Sequence, residues 1–274
     1  MQILFGFLLA MLIAFAAYRA HSLSRSGAFA ATLVGGVIFG MGGWQWAVLL
    51  LTFFITSSTL TRAFKKRKLG LDEKFSKGSQ RDAGQVFGNG GLAALFAALH
   101  FFYPDATWIW VAFASCLAAV NADTWATELG VLSKQPPRMV TNLAKEVEKG
   151  TSGGISLMGT LAALAGSALI GVLAATISPA LSPVEGPYPF SWTLGVAVTL
   201  AGLLGCMFDS FLGGTIQAIY HCPSCNKETE RHPLHTCGTE TTLKRGLPWL
   251  DNDIVNLGCA IFGVAVALLL TLKM

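Results

Sequence analysis

Apolar stretches of membrane-spanning length recur along the chain, separated by short polar connections. A helix needs about 20 largely apolar residues to cross a hydrocarbon layer roughly 30 Å thick. Eight stretches meet that requirement, at 2–18, 27–43, 44–62, 84–102, 106–127, 154–177, 191–218 and 253–272. Within 27–62 the boundary rests on "GMGGWQW" at 40–46, whose glycines and interfacial tryptophans predict a tight turn rather than the middle of one bent helix. The pattern predicts an all-α integral membrane protein, one polytopic domain over 1–274 with the N-terminus outside. Residues 219–252 stand apart as a polar insertion before the last span.

Composition supports this class: 53% of residues are hydrophobic, 12% are charged and the mean hydropathy is +0.57, against about 25% charged residues in soluble domains. The opening "MQ" supplies no positive segment, so the first span is expected to be retained rather than cleaved as a signal. Charge then sets orientation. Of the Lys and Arg residues, all but Lys273 fall in connections on one side of the eight spans, which predicts the cytoplasmic face. The net charge of +4 belongs to that membrane face, and no nucleic-acid partner is expected. The outer connections, "YPDA" and the proline-rich 178–190, are short or nearly uncharged, so the chemistry is expected at the cytoplasmic end.

Three polar loops carry the candidate chemistry. The basic cluster at 62–68 reads as a topology anchor on anionic lipid. In "KGSQRDAGQVFGNGG" (77–91), Lys77, Arg81, Gln85 and Asn89 recur every four residues. On a helix they form a polar stripe that suits a lipid phosphate, or equally a set of helix-helix hydrogen bonds. "NADTWATELG" (121–130) places Asp123 and Glu128 at the end of a span, where an acid at the membrane centre costs roughly 2.5–3.5 kcal/mol and function is the default reading. Asn121, Thr124 and Glu128 share one helical face, with Asp123 pointing elsewhere; for Glu128 at the interface a structural role stays open. Lys134, Arg138, Lys145 and Lys149 follow, then "KGTSGG", whose Gly150, Thr151, Ser152, Gly153 and Gly154 offer backbone N–H groups and hydroxyls before an apolar helix. That is a phosphate-binding arrangement, and with nearby acids it suggests Mg²⁺ and a nucleoside triphosphate.

"DSF" at 209–211 echoes "DTW" at 123–125, which would set Asp209 opposite Asp123 if the chain is an internal repeat. In "RGLPWLDNDIVN", Asn252, Asp253 and Asn256 could complete a polar cavity with Asn121, or Asn252 or Asp251 could cap the last helix. "HCPSCNKETERHPLHTCG" (221–238) supplies Cys222, Cys225, His235 and Cys237, with His232 competing for the fourth place. In a cytosolic loop this set predicts a closed structural Zn²⁺ that staples the insertion.

The blocks "NADTWATELGVLSKQPPRMVT", "VEKGTSGGISLMGTLAALAG", "GCMFDSFLGG" and "RGLPWLDNDIVN" resemble the membrane family that includes plant phytyl-phosphate kinase and transmembrane protein 19. "RSGAFAATLVGG" and "QVFGNGG" fit the same pattern. A looser similarity reaches phytol and dolichol kinases through an acid, Gly130, Lys134, and a Lys-containing segment before Gly150 and Thr151. The resemblance implies transfer of the γ-phosphate of CTP to an isoprenoid; in the phytyl-phosphate kinase branch the acceptor is the monophosphate.

The reading that follows is a CTP-dependent isoprenyl monophosphate kinase in a cell or plastid-like inner membrane, with its active site facing the cytoplasm. Asp123, Glu128 and Asp209 are the catalytic and Mg²⁺-ligand candidates, Lys134 to Gly154 the nucleotide site, and Lys77, Arg81, Gln85 and Asn89 the acceptor-phosphate site. A cytidylyltransferase would release pyrophosphate instead of CDP, and a transporter would show flux without nucleotide. Small residues such as "GTLAALAGSALIG" (159–171) permit close packing within the bundle or in a homodimer.

Overall fold

The computed structural model describes residues 1–64, 74, 80–179 and 191–271. Eight helices long and apolar enough to cross a membrane account for most of them. They are α1 (Gln2–Arg19), α2 (Arg25–Val37), α3 (Trp44–Phe64), α4 (Ala83–Phe102), α5 (Thr107–Gly130), α6 (Leu157–Thr176), α7 (Trp192–Thr215) and α8 (Asn252–Thr271). α2 continues as a π-helical turn over Ile38–Gly42, and Gly43, at φ 97°, reverses the chain into α3. "GMGGWQW" is therefore a turn between two spans, as expected, because glycine reaches this left-handed conformation without a side-chain clash.

α5 is the axis of the bundle. It is buried almost without interruption from Ile109 to Ala122 and packs against α3, α4, α6, α7 and α8. A helix apolar all round has to lie inside, and its neighbours approach closely because small residues face it. A Cβ at Gly202 of α7 would sit 2.8 Å from the Ala118 Cβ of α5. The α1–α2 hairpin lies outside this core and joins it where α2 meets α4. Large apolar side chains such as Leu12, Phe29, Leu161 and Leu269 remain exposed on the outer surface, as a bilayer-facing surface requires.

The loops are not irregular, and here the all-α expectation needs refinement. β1 (Arg138–Met139), β2 (Asn142–Glu146) and β3 (Gly154–Ile155) form an antiparallel sheet in the order β2-β1-β3. β4 (Ile219–Cys222), β5 (Lys227–Thr229) and β6 (Thr242–Arg245) form a second, in the order β5-β4-β6. Both hang from the same end of the bundle, in connections of the predicted cytoplasmic side. The second sheet is tied to its root by Leu247 N–H to Ile216 O (2.9 Å) and Ala218 N–H to Leu250 O (2.9 Å).

Candidate functional site

A cavity of about 580 Å³ opens where these loops meet the ends of α4, α5, α7 and α8. α5 contributes Asp123, Thr124 and Glu128; α7 contributes Asp209 and Ser210; α8 contributes Asn252 and Asn256. The glycine loop from Gly150 to Gly154 forms one wall. Asp123 and Asp209 interact electrostatically with each other and with Glu230 of the insertion, so three carboxylates face one volume. Asp209 Oδ2 is buried with no hydrogen-bond partner among the described residues. Like charges gathered in a low-dielectric site call for a proton or a cation among them, and that atom is the donor a divalent cation would satisfy.

Glu128 is part of the same lining but is held differently. Thr61 Oγ1 of α3 donates a 2.8 Å hydrogen bond to its Oε1, and it faces the Arg81 cation. Burial lowers the Arg81 guanidinium to about 10, with Glu128 pulling the other way. The guanidinium carbon lies 5.1 Å from the Phe53 ring centroid and 5.9 Å from that of Phe54, an aromatic seat for a buried cation.

Several sequence expectations change here. Arg81 is not on a helical stripe: α4 begins at Ala83, and Arg81 bridges to the loop after α1 through Arg81 N–H to Ser22 O (2.9 Å) and Ser24 N–H to Arg81 O (3.0 Å). Gln85 closes a capping box, its Oε1 accepting from Asp82 N–H at 3.2 Å while Asp82 Oδ1 accepts from Gln85 N–H at 2.9 Å. That reciprocal pair satisfies two helix-end donors and fixes where α4 starts. Arg81, Gln85 and Asn89 nevertheless all line the cavity, with the Asn89 amide donating to Gln85 O at 2.7 Å. Lys77 lies outside the described residues.

Of the four cations assigned to nucleotide, only Lys149 reaches the cavity, and its Nζ donates to Val131 O (3.1 Å) and Ser133 O (2.6 Å). Lys134 and Lys145 are exposed outside the lining, and Arg138 pairs with Glu146 at 3.2 Å on the first sheet. Arg138 and Lys145 lie on the sheet and Lys134 in the bend before it, placements that loop spacing in sequence could not reveal. Gly150 to Gly154 do not open α6 either. Ser156 caps that helix, its Oγ accepting from Gly159 N–H at 3.1 Å, with β3 between.

Asn121 and Asp253 also leave the proposed cavity set. Asn121 is fully buried, donating to Gly166 O at 2.8 Å and accepting from Thr56 Oγ1 at 3.2 Å, so it clasps α3, α5 and α6 together. Asp253 is absent from the lining, and its backbone packs against Gly88 of α4. Asp251 caps α8, its Oδ1 accepting from Asp253 N–H (3.0 Å) and Ile254 N–H (3.1 Å).

Sequence reasoning missed Gln217, Glu230 and Arg231, all of which line the cavity. Gln217, 2% exposed, accepts from Ser152 Oγ at 2.6 Å and donates to Glu230 Oε1 at 3.1 Å. Glu230 N–H in turn donates to Lys74 O at 2.9 Å. Glu230 and Arg231 sit inside "NKETERH", a charge run that reads as a solvated loop; only their place directly after β5 carries them inward. Arg245 locks the arrangement, donating to Gly213 O at 3.0 Å.

At the far side of the insertion, Cys222, Cys225, His235 and Cys237 bring their ligand atoms within 4.8 Å of one another, a cluster that could hold one metal ion. His232 is instead stacked on Tyr220 at 4.4 Å, which leaves His235 as the fourth member. Cys237 is held low, at about 5, by its hydrogen bonds with Thr239 and His235, and a thiolate is the metal-binding form of cysteine.

No solved structure matches the chain. Among curated proteins, Protein PGR of Arabidopsis thaliana is 33% identical, covering 93% of this chain and 91% of its own length. An uncharacterized membrane protein of Methanocaldococcus jannaschii is 30% identical over 73% of this chain and 76% of its own. Protein VTE6, chloroplastic, of Arabidopsis thaliana is 25% identical over 90% of this chain and 65% of its own. Residues 8–264 match the family described as integral membrane protein DUF92, and with them nearly the whole bundle and both loop sheets: the chain belongs to that family.

Proposed function

We propose that this protein is a phosphotransferase that moves the γ-phosphoryl group of a nucleoside triphosphate, CTP by family resemblance, onto an isoprenyl monophosphate. The observation that carries the reading is the cavity itself: four carboxylates, a glycine loop and the cations Arg81, Lys149 and Arg231 surround one volume at the membrane edge. Family membership adds support, since the motif blocks resemble those of plant phytyl-phosphate kinase.

The residues divide the work. Asp123, Asp209 and Glu230 would hold Mg²⁺, replacing the Asp123, Glu128 and Asp209 set expected from sequence; the bound ion would neutralise charge on the transferring phosphoryl group. The backbone N–H groups of Gly150, Ser152 and Gly153 and the Thr151 hydroxyl, with Arg231, would cradle the donor phosphates. Arg81 and Asn89 would orient the acceptor phosphate, and Glu128 would position Arg81. An acceptor oxygen attacks the γ-phosphorus, the bond to the β–γ bridging oxygen breaks, and the products are an isoprenyl diphosphate and a nucleoside diphosphate. A phosphate monoester is already an anionic nucleophile, so alignment and charge stabilisation supply most of the catalysis. The Cys₃His cluster would hold structural Zn²⁺, closed to substrate. By the distribution of basic residues the cavity faces the cytoplasm.

The test is direct. Purified protein is incubated with Mg²⁺, CTP labelled at the γ-phosphate and a panel of isoprenyl monophosphates. Labelled diphosphate together with CDP is the expected result; release of pyrophosphate would point to cytidylyl transfer. A folded, zinc-loaded protein giving neither, with CTP or ATP, would overturn the reading.

A further inference from the structure

A second cavity, about 100 Å³, lies between the α1–α2 hairpin and helices α3 and α4. Its wall is almost wholly apolar, with Ile13, Ala14, Val34, Ala47 and Leu50 among the lining residues. Three polar residues are the exception, Arg81, Gln85 and Asn89, and all three also line the large polar cavity. The two spaces therefore share these three residues as a common wall. Away from that wall the slot extends along α1 from Ala17 to Leu9, about 12 Å at the helical rise, and reaches Phe39 in the π-helical turn at its outer end.

This arrangement has one charged end, one apolar barrel and a lining of small residues, Ala10, Ala14, Ala31 and Gly35, that keeps the barrel open. We propose that the slot holds the apolar tail of a single-chain lipid monophosphate whose phosphate sits at Arg81 and Asn89, and that the outer residues Ala47 and Phe39 set the accepted chain length. A slot of about 100 Å³ suits one chain, and the paired chains of a diacyl lipid serve as the comparison in the test. The assignment rests on the kinase reading for the identity of the head group, but not for the position of the tail. Burying a methylene is worth about fourfold in affinity, so each added segment of chain that fits the slot tightens binding steeply, and chain beyond the slot adds little.

The experiment uses full-length protein in detergent with two series of probes, alkyl monophosphates and prenyl monophosphates of graded length, and phosphatidic acid as the two-chain comparison. Affinity is expected to rise with chain length to a plateau. Ala47→Phe should lower the plateau by about tenfold or more while leaving the shortest probes unchanged; Leu12→Phe, on the lipid-facing side of α1, should change neither. On the wild-type protein an alkyl monophosphate with a terminal diazirine should label Leu9, Phe39 or Leu51. Labels confined to outward residues such as Leu4 and Leu8, with an Ala47→Phe profile equal to wild type, would overturn the slot even if phosphoryl transfer is found. Tight phosphatidic acid binding that competes with the probes would overturn the single-chain restriction. Binding and labelling as expected, without transfer from any nucleotide, would leave the slot standing and remove the kinase reading.

Discussion

Gln217 donates a 3.1 Å hydrogen bond to Glu230 across the root of the cysteine-rich insertion. Gln217 also accepts from Ser152 of the glycine loop, so one buried amide joins two loops that are far apart in the chain. The insertion is thereby part of the cavity wall, and its Cys₃His set, which could hold one metal ion, bears on the cavity too: what orders β4 and β5 also orders Glu230 and Arg231.

Removing the metal should therefore reach the cavity. Zinc analysis is expected to give one ion per chain for the wild-type protein and none for Cys222→Ser. Activity should fall by at least about tenfold, as outer-shell losses at metal sites do, while the helical content by circular dichroism stays unchanged. Full activity in a zinc-free protein would show that the insertion and the site are independent.

The carboxylates should separate by role. Asp209→Asn and Glu230→Gln are each expected to lower transfer by about 100-fold or more, on the scale of losing one electrostatic partner of the transition state, and to raise the Mg²⁺ concentration needed for half activity. Glu128→Gln should lower activity with the Mg²⁺ dependence unchanged, because Glu128 faces Arg81 and Thr61. A Glu128→Gln protein that needs more Mg²⁺ would return Glu128 to the metal set.

Gly153 carries a geometric requirement. Its φ is +84° and a Cβ there would overlap the backbone of Gly214 in α7. Gly153→Ala should destabilise the protein by about 1–3 kcal/mol through backbone strain alone, read as a lower thermal midpoint in detergent. A midpoint equal to wild type would mean that the loop does not pack on α7 as described.

Asn121 should prove structural. Asn121→Ala removes its bonds to Thr56 and Gly166, and interhelical hydrogen bonds in membranes are worth about 0.6 kcal/mol on average and up to about 1.7. A modest loss of stability with unchanged substrate affinities is the expected outcome. A large change in affinity for either substrate would place Asn121 in the site instead.

Much of the fold is legible in the chain itself. Span length and apolar character are local properties, so eight helices, the glycine turn at Gly43 and the Cys₃His cluster all follow from short stretches of residues. Local chemistry likewise marks Asp123, Asp209 and the Gly150–Gly154 loop, three features that the bundle brings to one cavity. What the sequence could not convey is direction. Arg138 and Lys145 share a loop with Lys149 and lie on the small sheet, yet of the three only Lys149 lines the cavity. Gln85, read as one step of a polar stripe, lines the cavity and also caps α4 with Asp82, a pairing that the four-residue spacing does not reveal. Glu230, in a run that reads as solvated, meets Asp123 and Asp209 where Gln217, just after α7, holds it by a hydrogen bond. Hydrophobic periodicity and turn chemistry act over a few residues and so determine the elements. Which polar side chains share a cavity depends on contacts between segments tens of residues apart, and only the packed tertiary structure decides those.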